Sequence, residues 1–231
     1  MSKSYLDAGE EVDEDDVVRI GLNGFGRIGR SVFRAIMENP RLELAGINDV
    51  MDFEDMEYLA KYDTIMGRLE GLELEDDELT IGGSSVSLYN IQSPSELPWG
   101  DLDVDVAFEC TGIFRTKDDA SQHLEAGADK VVISAPPKGD KPVKTLVYGV
   151  NHDEYDGEDV VSNASCTTNS VTPVAHVLDE EFGINTATLT TIHAYTGSQT
   201  LIDAPKAKTR RGRSAAENIV PTSTGAAQAT T

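Results

Sequence analysis

The chain of 231 residues is 39% hydrophobic and 26% charged, with 41 acidic residues against 19 basic and a formal charge of −22. That is the composition of a globular protein long enough for one large domain or two modest ones, and its sign excludes a general nucleic-acid binder, which needs a basic footprint. No apolar run reaches the roughly 18–20 residues that cross a bilayer, and two cysteines make neither a disulfide framework nor a metal-ligand cluster.

A soluble, cytoplasmic protein is expected, with no membrane partner, no nucleic-acid partner and no bound metal. The acids are unevenly spread. Residues 1–161 hold 36 acidic and 14 basic residues, whereas residues 162–231 hold five of each. Self-repulsion of this size is costly in dilute buffer, while molar salt shortens the screening length to about 3 Å. The acid excess and the small number of lysines, nine in all, read as adaptation to concentrated salt. Met1–Asp16 carries seven acids and one Lys, which is neither the basic start nor the apolar centre of a signal peptide. It is expected to be a disordered, solvated extension.

Val17–Leu22 is a short β-branched apolar run, a buried strand. It leads into Asn23-Gly24-Phe25-Gly26-Arg27-Ile28-Gly29-Arg30, and a helical pattern runs on through Val32, Phe33, Ile36 and Met37. Leu42–Ile47 is a second strand, completing a β-α-β unit. Residues 52–62 read as a helix, and residues 69–92 as a small antiparallel excursion. Val104–Glu109 is a strand and Lys117–Ala126 a helix stopped at Gly127. Val131–Ser134, Thr145–Tyr148 and Val160–Val161 are further short strands. Strands alternating with helices predict an α/β fold with a doubly wound, mostly parallel Rossmann sheet over residues 17–165. Residues 166–231 then begin an α+β domain. Within it, 169–182 is a helix, Thr186–Ile192 a Thr-rich strand and 197–216 a long irregular loop. The terminal Ala226–Thr231 has no helix stop and reads as an element cut in its middle.

Gly24-x-Gly26-x-x-Gly29 between strand and helix is a dinucleotide signature. The first glycine permits the tight turn, the second lets backbone approach a pyrophosphate, and the third lets helix pack on strand. The helix N-terminus offers N–H groups to the phosphates. Asp49, 20 residues beyond Gly29, ends the second strand, where an acid binds the ribose 2′-OH and repels a 2′-phosphate. NAD is therefore the expected cofactor, with NADP left open.

Ser165-Cys166-Thr167-Thr168-Asn169 lies between a strand and a helix. A thiol at a helix N-terminus can fall below its usual pKa of about 8.5, and Cys/His pairing activates nucleophiles. His193 follows 27 residues later. Spacing alone favours a structural reading over catalysis, since a lone Cys is usually a core residue and a lone His usually a hydrogen-bond partner. Lys206, Lys208, Arg210, Arg211 and Arg213 lie within eight residues and suit a phosphorylated substrate, or else a solvated loop.

These motifs, together with His193-Ala194-Tyr195-Thr196, Pro221-Thr222-Ser223-Thr224-Gly225-Ala226-Ala227, Lys61-Tyr62-Asp63-Thr64 and Val131-Val132-Ile133-Ser134-Ala135-Pro136, resemble the glyceraldehyde-3-phosphate dehydrogenases of bacterial and eukaryotic type, in a halophilic version. The resemblance runs from about residue 17 to the end. It implies that Cys166 attacks an aldehyde, that His193 serves as base, and that phosphate releases an acyl phosphate. It puts cofactor contacts on Gly24, Gly26, Arg27, Ile28, Gly29, Asp49, Thr111 and Ser134. It puts substrate and phosphate contacts on Ser165, Thr167, Thr196, Arg211, Thr224 and Gly225. It further implies glyceraldehyde 3-phosphate and inorganic phosphate as substrates and a homotetramer as the assembly. The alternatives are an erythrose-4-phosphate dehydrogenase or a non-catalytic dinucleotide-binding fragment. Ser170 stands where many relatives carry a second Cys, and Ser198 where bacterial relatives carry Asp. Gln92 and Ala204 also depart from the family pattern near the cofactor. About a third of a typical family member is absent after Thr231, including the rest of the catalytic-domain sheet.

Overall fold

The computed structural model describes residues 16–230. The expected disordered extension over 1–16 thus lies, apart from Asp16, outside the described residues. The chain divides into two compact units. The first holds the residues up to Leu146 and Asn151–Ala164, and the second holds Val147–Val150 and the residues from Ser165 on.

In the first unit, β1 (Val18–Asn23) leads to α1 (Arg27–Met37) and β2 (Leu42–Asn48), as the apolar pattern predicts. Then come α2 (Phe53–Lys61) and a two-stranded ribbon, β3 (Tyr62–Asp63) with β4 (Gly67–Arg68). β5 (Glu73–Glu75), β6 (Glu78–Ile81) and β7 (Ser84–Tyr89) form the expected excursion. β8 (Val106–Glu109), α3 (Lys117–Glu125), β9 (Lys130–Ile133), β10 (Lys144–Thr145) and β11 (Val160–Ser162) complete the unit.

Nine strands make one sheet in the order β10-β11-β9-β8-β1-β2-β7-β6-β5. The pairs from β10 to β7 are parallel; β5-β6 and β6-β7 are antiparallel. The antiparallel excursion therefore feeds back into the parallel sheet, because β7 pairs with β2. The chain leaves β1 toward β2 on one side and reaches β8 on the other. That reversal between β1 and β8 is a topological switch point, the place where open α/β sheets bind their ligands.

Apolar residues cover both faces of the sheet, as parallel strands require. Ile20, Leu22, Phe33, Ile36, Leu44, Ile47 and Met56 pack into one cluster, with Phe25 edge-on to Phe33. Leu97, Trp99, Val104, Ala107 and Ala128 form a second, and Ala120, Val131, Ile133 and Val160 a third. Thr116 caps α3 through its hydroxyl, which accepts from the Asp119 N–H at 3.1 Å.

The second unit contains α4 (Cys166–Phe182) and α5 (Ala226–Thr230). Here three expectations are corrected. The helix starts at Cys166, three residues before the expected Asn169. The Ser165 hydroxyl caps it by accepting from the Thr168 N–H at 3.0 Å, which compensates for the weak helix propensity of Thr167, Thr168 and Asn169. The expected strand Thr186–Ile192 is not a strand. Its β-branched threonines favour extension, but a strand also needs a ladder partner, and none pairs with it among the described residues. The expected strand Thr145–Tyr148 shortens to Lys144–Thr145, and Val147–Val150 turns into the second unit, with Val150 N–H donating to Val147 C=O. Loop 197–216 ties itself together. Thr200 N–H donates to Arg211 C=O, Ala204 N–H to Gly212 C=O, and Asp203 pairs with Arg213 at 2.5 Å.

Candidate functional site

In the first unit, the turn after β1 is built around a left-handed Gly24 with φ of 96°. A Cβ there would lie 2.6 Å from the Thr111 nitrogen, so the turn rests directly on the backbone that follows β8. Gly29 is tighter still, since its Cβ would come within 1.9 Å of the Gly24 carbonyl oxygen. Gly26 differs from both. It is the N-cap of α1 with ordinary φ of −68°, and a Cβ on it would meet nothing within 4 Å. No side chain caps α1 and no acid lies in its first turn. Free N–H groups facing open space fit a pyrophosphate. Arg27 and the half-exposed Ile28 open the helix, and Arg27 pairs with the buried Asp63.

Asp49 follows the last residue of β2. One carboxylate oxygen accepts from the Phe25 N–H at 2.5 Å and the other from the Met51 N–H at 3.1 Å. The acid therefore braces the glycine turn as well as ending the strand. Thr111 N–H donates to Glu109 at 2.8 Å, and Ser134 N–H to the Glu109 carbonyl at 3.0 Å. Thr111 and Ser134 thus lie at the adjacent ends of β8 and β9. Cys110 lies between Glu109 and Thr111. Burial pushes its thiol up to about 12 despite a hydrogen bond with Ser134, so it is no nucleophile.

In the second unit, Cys166 is the first residue of the 17-residue α4. Its Sγ lies 3.2 Å from His193 Nε2. His193 Nδ1 lies 2.6 Å from the Ala194 carbonyl oxygen. A carbonyl only accepts, so Nδ1 carries a proton and Nε2 is left to exchange one with sulfur. The hydrogen bond from His193 holds the Cys166 thiol below its ordinary range, partial burial opposes this, and Thr167 adds to the lowering. His193 is raised in turn, first by Cys166 and then by the Ala194 carbonyl, while the charge of Arg211 works against it. Each partner thus favours the charged form of the other. Cys166, Thr167, Ser170, Val171 and residues 189–194 line an open cleft of about 470 Å³ beside the pair.

Arg211 donates to the Ser198 hydroxyl and, at 3.1 Å, to the Thr222 hydroxyl. Thr196 Oγ1 lies 2.9 Å from Ser198 Oγ. One guanidinium and three hydroxyls make a cradle for a tetrahedral anion. Ser198 and Thr222 are additions to the expected set. Ser198 stands out in the sequence only as a departure from the family Asp, which reads as weakening the phosphate site, and Thr222 only as a member of the Pro221–Ala227 motif. Thr224 instead accepts from the Ala226 N–H at 3.2 Å, and Gly225 C=O accepts from the Ala229 N–H at 3.1 Å, so both serve the start of α5. Ser165 is occupied with capping, and Thr167 bonds to Cys166.

Residues 18–117 match the family model described as glyceraldehyde 3-phosphate dehydrogenase, NAD binding domain, and residues 165–231 match its C-terminal domain. Over 216 residues the chain is 69% identical to a glyceraldehyde-3-phosphate dehydrogenase of Haloarcula vallismortis, covering 93% of this chain and 64% of that protein. It is 50% identical to glyceraldehyde-3-phosphate dehydrogenases of Streptomyces coelicolor and Streptomyces avermitilis, covering 92% of this chain and 64% of each. The chain thus spans just under two thirds of the length of these relatives. Among the described residues no helix is long and apolar enough to cross a membrane.

Proposed function

The chain belongs to the glyceraldehyde-3-phosphate dehydrogenase family and carries its NAD-binding domain, and on that premise we propose that Cys166 and His193 perform the phosphorylating oxidation of glyceraldehyde 3-phosphate. The observation that carries this reading is the 3.2 Å approach of Cys166 Sγ to His193 Nε2 at the first turn of α4. The Cys166 thiolate adds to the aldehyde carbon, the carbonyl oxygen takes the proton of His193 Nε2, and a thiohemiacetal forms. His193 Nε2 takes the proton of its hydroxyl as the C–H bond gives up hydride. NAD, when bound, accepts that hydride and becomes NADH. The resulting thioester on Cys166 is attacked by an oxygen of inorganic phosphate, the C–S bond breaks, and 1,3-bisphosphoglycerate leaves with the thiolate restored.

The cradle of Arg211, Thr196, Ser198 and Thr222 holds a phosphate, with Ser165, Thr167, Thr224 and Gly225 as the further contacts that the family pattern implies. Replacing Arg211 by Ala is expected to raise KM for the phosphorylated aldehyde at least about tenfold with a smaller fall in kcat. Lys will not restore it, because an ammonium cannot bridge two hydroxyls as a planar fork does. An unchanged KM in steady-state assays would remove Arg211 from the site.

Gly24, Gly26, Arg27, Ile28 and Gly29 cradle the pyrophosphate of NAD, Asp49 takes the ribose, and Thr111 and Ser134 lie toward the nicotinamide end. Asp49 sets the preference for NAD over NADP by repelling a 2′-phosphate. Comparing kcat/KM for both cofactors tests this. The native chain should favour NAD, and Asp49→Asn should narrow that preference about tenfold, the effect of removing one repelling charge. Equal use of NADP by the native chain would contradict it.

The reading extends to a cytoplasmic homotetramer, on family grounds, and to a surface adapted to concentrated salt. The direct experiment is to supply NAD, glyceraldehyde 3-phosphate and inorganic phosphate in high salt and follow NADH. Absence of NADH formation would sink the enzymatic reading and favour a dinucleotide-binding role.

A further inference from the structure

Glu109 closes β8 with an ionisable side chain that is 1% exposed. Four donors converge on its two oxygens. Asn23 Nδ2 donates at 2.6 Å, the Thr111 N–H at 2.8 Å, the Thr111 hydroxyl at short range, and His123 Nε2 lies at 3.2 Å. That is the hydrogen-bond pattern of an ionised carboxylate, which only accepts. The donors are themselves oriented from behind. The Trp99 indole N–H, which can only donate, hydrogen-bonds to the lone pair of His123 Nδ1 at 3.0 Å, so the His123 proton sits on Nε2 and faces Glu109. Asn48 Nδ2 donates to Asn23 Oδ1 at 2.7 Å, which turns the Asn23 amide nitrogen toward the carboxylate.

The two residues clamped by Glu109 are those on which the dinucleotide turn stands. Asn23 is the last residue of β1 and immediately precedes Gly24. Thr111 supplies the backbone nitrogen that Gly24 rests against. We propose that Glu109 is a positioning residue for NAD: a buried carboxylate that holds the end of β1 and the loop after β8 at one spacing, so that the turn at Gly24 presents its N–H groups in a fixed geometry. This deepens the reading of the first unit as an NAD site and rests on it. Glu109 touches no reacting atom. It acts through Asn23 and Thr111, and its own orientation is held by His123 and Trp99.

The test uses the full chain, NAD titration by calorimetry, and alkylation of Cys166 by iodoacetamide without NAD as a control. Binding of NAD by the native chain tests the underlying reading, and without it both that reading and this proposal fall. Given native binding, Glu109→Gln is expected to raise the Kd for NAD at least tenfold, because an amide turns a donor toward a donor at one of the two oxygen positions. The alkylation rate should stay within twofold. The double variant N23D/E109Q, in which amide and carboxylate exchange places, should regain at least threefold of the lost affinity. If E109Q does not fold, His123→Phe carries the test, since it deletes a donor that holds Glu109 in place and His123 is not among the cofactor contacts. A threefold or larger loss of NAD affinity at native melting temperature supports the proposal. Unchanged NAD affinity in the folded variant, or equal losses in NAD binding and Cys166 alkylation, would overturn it.

Discussion

Replacing Cys166 by Ser should lower the rate of iodoacetamide alkylation at pH 7 by on the order of 10³-fold, and abolish turnover with it. The size follows from comparing the two thiols. Cys110 is pushed to about 12 by burial, which leaves about one part in 10⁵ as thiolate at pH 7. Cys166 lies below the ordinary thiol range, where at least a few per cent of an unperturbed group is already ionised. Only the thiolate reacts, so nearly all labelling belongs to Cys166, and mass spectrometry should find one adduct on the native chain. Fast labelling that survives in Cys166→Ser would contradict the assignment of the nucleophile.

His193→Asn extends the same argument to pH. The Cys166 thiol is lowered chiefly by its hydrogen bond with His193, so losing that partner moves its midpoint upward. Below both midpoints the variant should alkylate more slowly than the native chain, by about tenfold for each unit that separates them. Above the ordinary thiol range both are fully ionised and the rates should converge. A constant ratio at every pH would mean that His193 affects access to the thiol rather than its charge.

What was legible in the sequence was whatever short-range chemistry determines. The β1–glycine turn–α1–β2 unit follows from β-branched runs, three spaced glycines and a helical apolar stripe, all within about 30 residues. α4 starts three residues before the expected Asn169, although Thr167, Thr168 and Asn169 are poor helix formers on their own, because the Ser165 cap outweighs them. The segment Thr186–Ile192 misled in the opposite sense, since propensity for extension does not supply a ladder partner. Cys166 and His193 could be singled out as types, but their 3.2 Å contact spans 27 residues and no local pattern encodes it. Glu109 was silent altogether. A Glu at a strand end reads as a surface charge, and its burial depends on an amide 86 positions away and on an imidazole whose proton is placed by Trp99.

The glycine motif separates into two functions that single alanines can distinguish. Gly29→Ala should cost at least about 3 kcal/mol of stability, the upper range for overpacking, and lose NAD binding with it. Its new Cβ would stand 1.9 Å from the Gly24 carbonyl oxygen, and that obstacle is backbone, which cannot rotate away. Gly26→Ala should leave the melting temperature unchanged or raise it slightly. Its φ of −68° suits any L-residue, and nothing lies within 4 Å of the added carbon. Restricting the unfolded chain at such a position stabilises by about 0.4–1 kcal/mol. Yet that empty space, in front of the uncapped N–H groups of α1, is where the pyrophosphate must approach the backbone. Gly26→Ala should therefore weaken NAD binding at least about tenfold, since a methyl there blocks the close phosphate approach and its charge-assisted hydrogen bonds. A single experiment, thermal melting with and without NAD, reads both variants. Native protein should gain melting temperature with NAD, Gly26→Ala should melt normally but gain little, and Gly29→Ala should melt early in both conditions. A Gly26→Ala protein that retains the full NAD-induced shift would mean that the open space beside the N-cap is not where the phosphates lie.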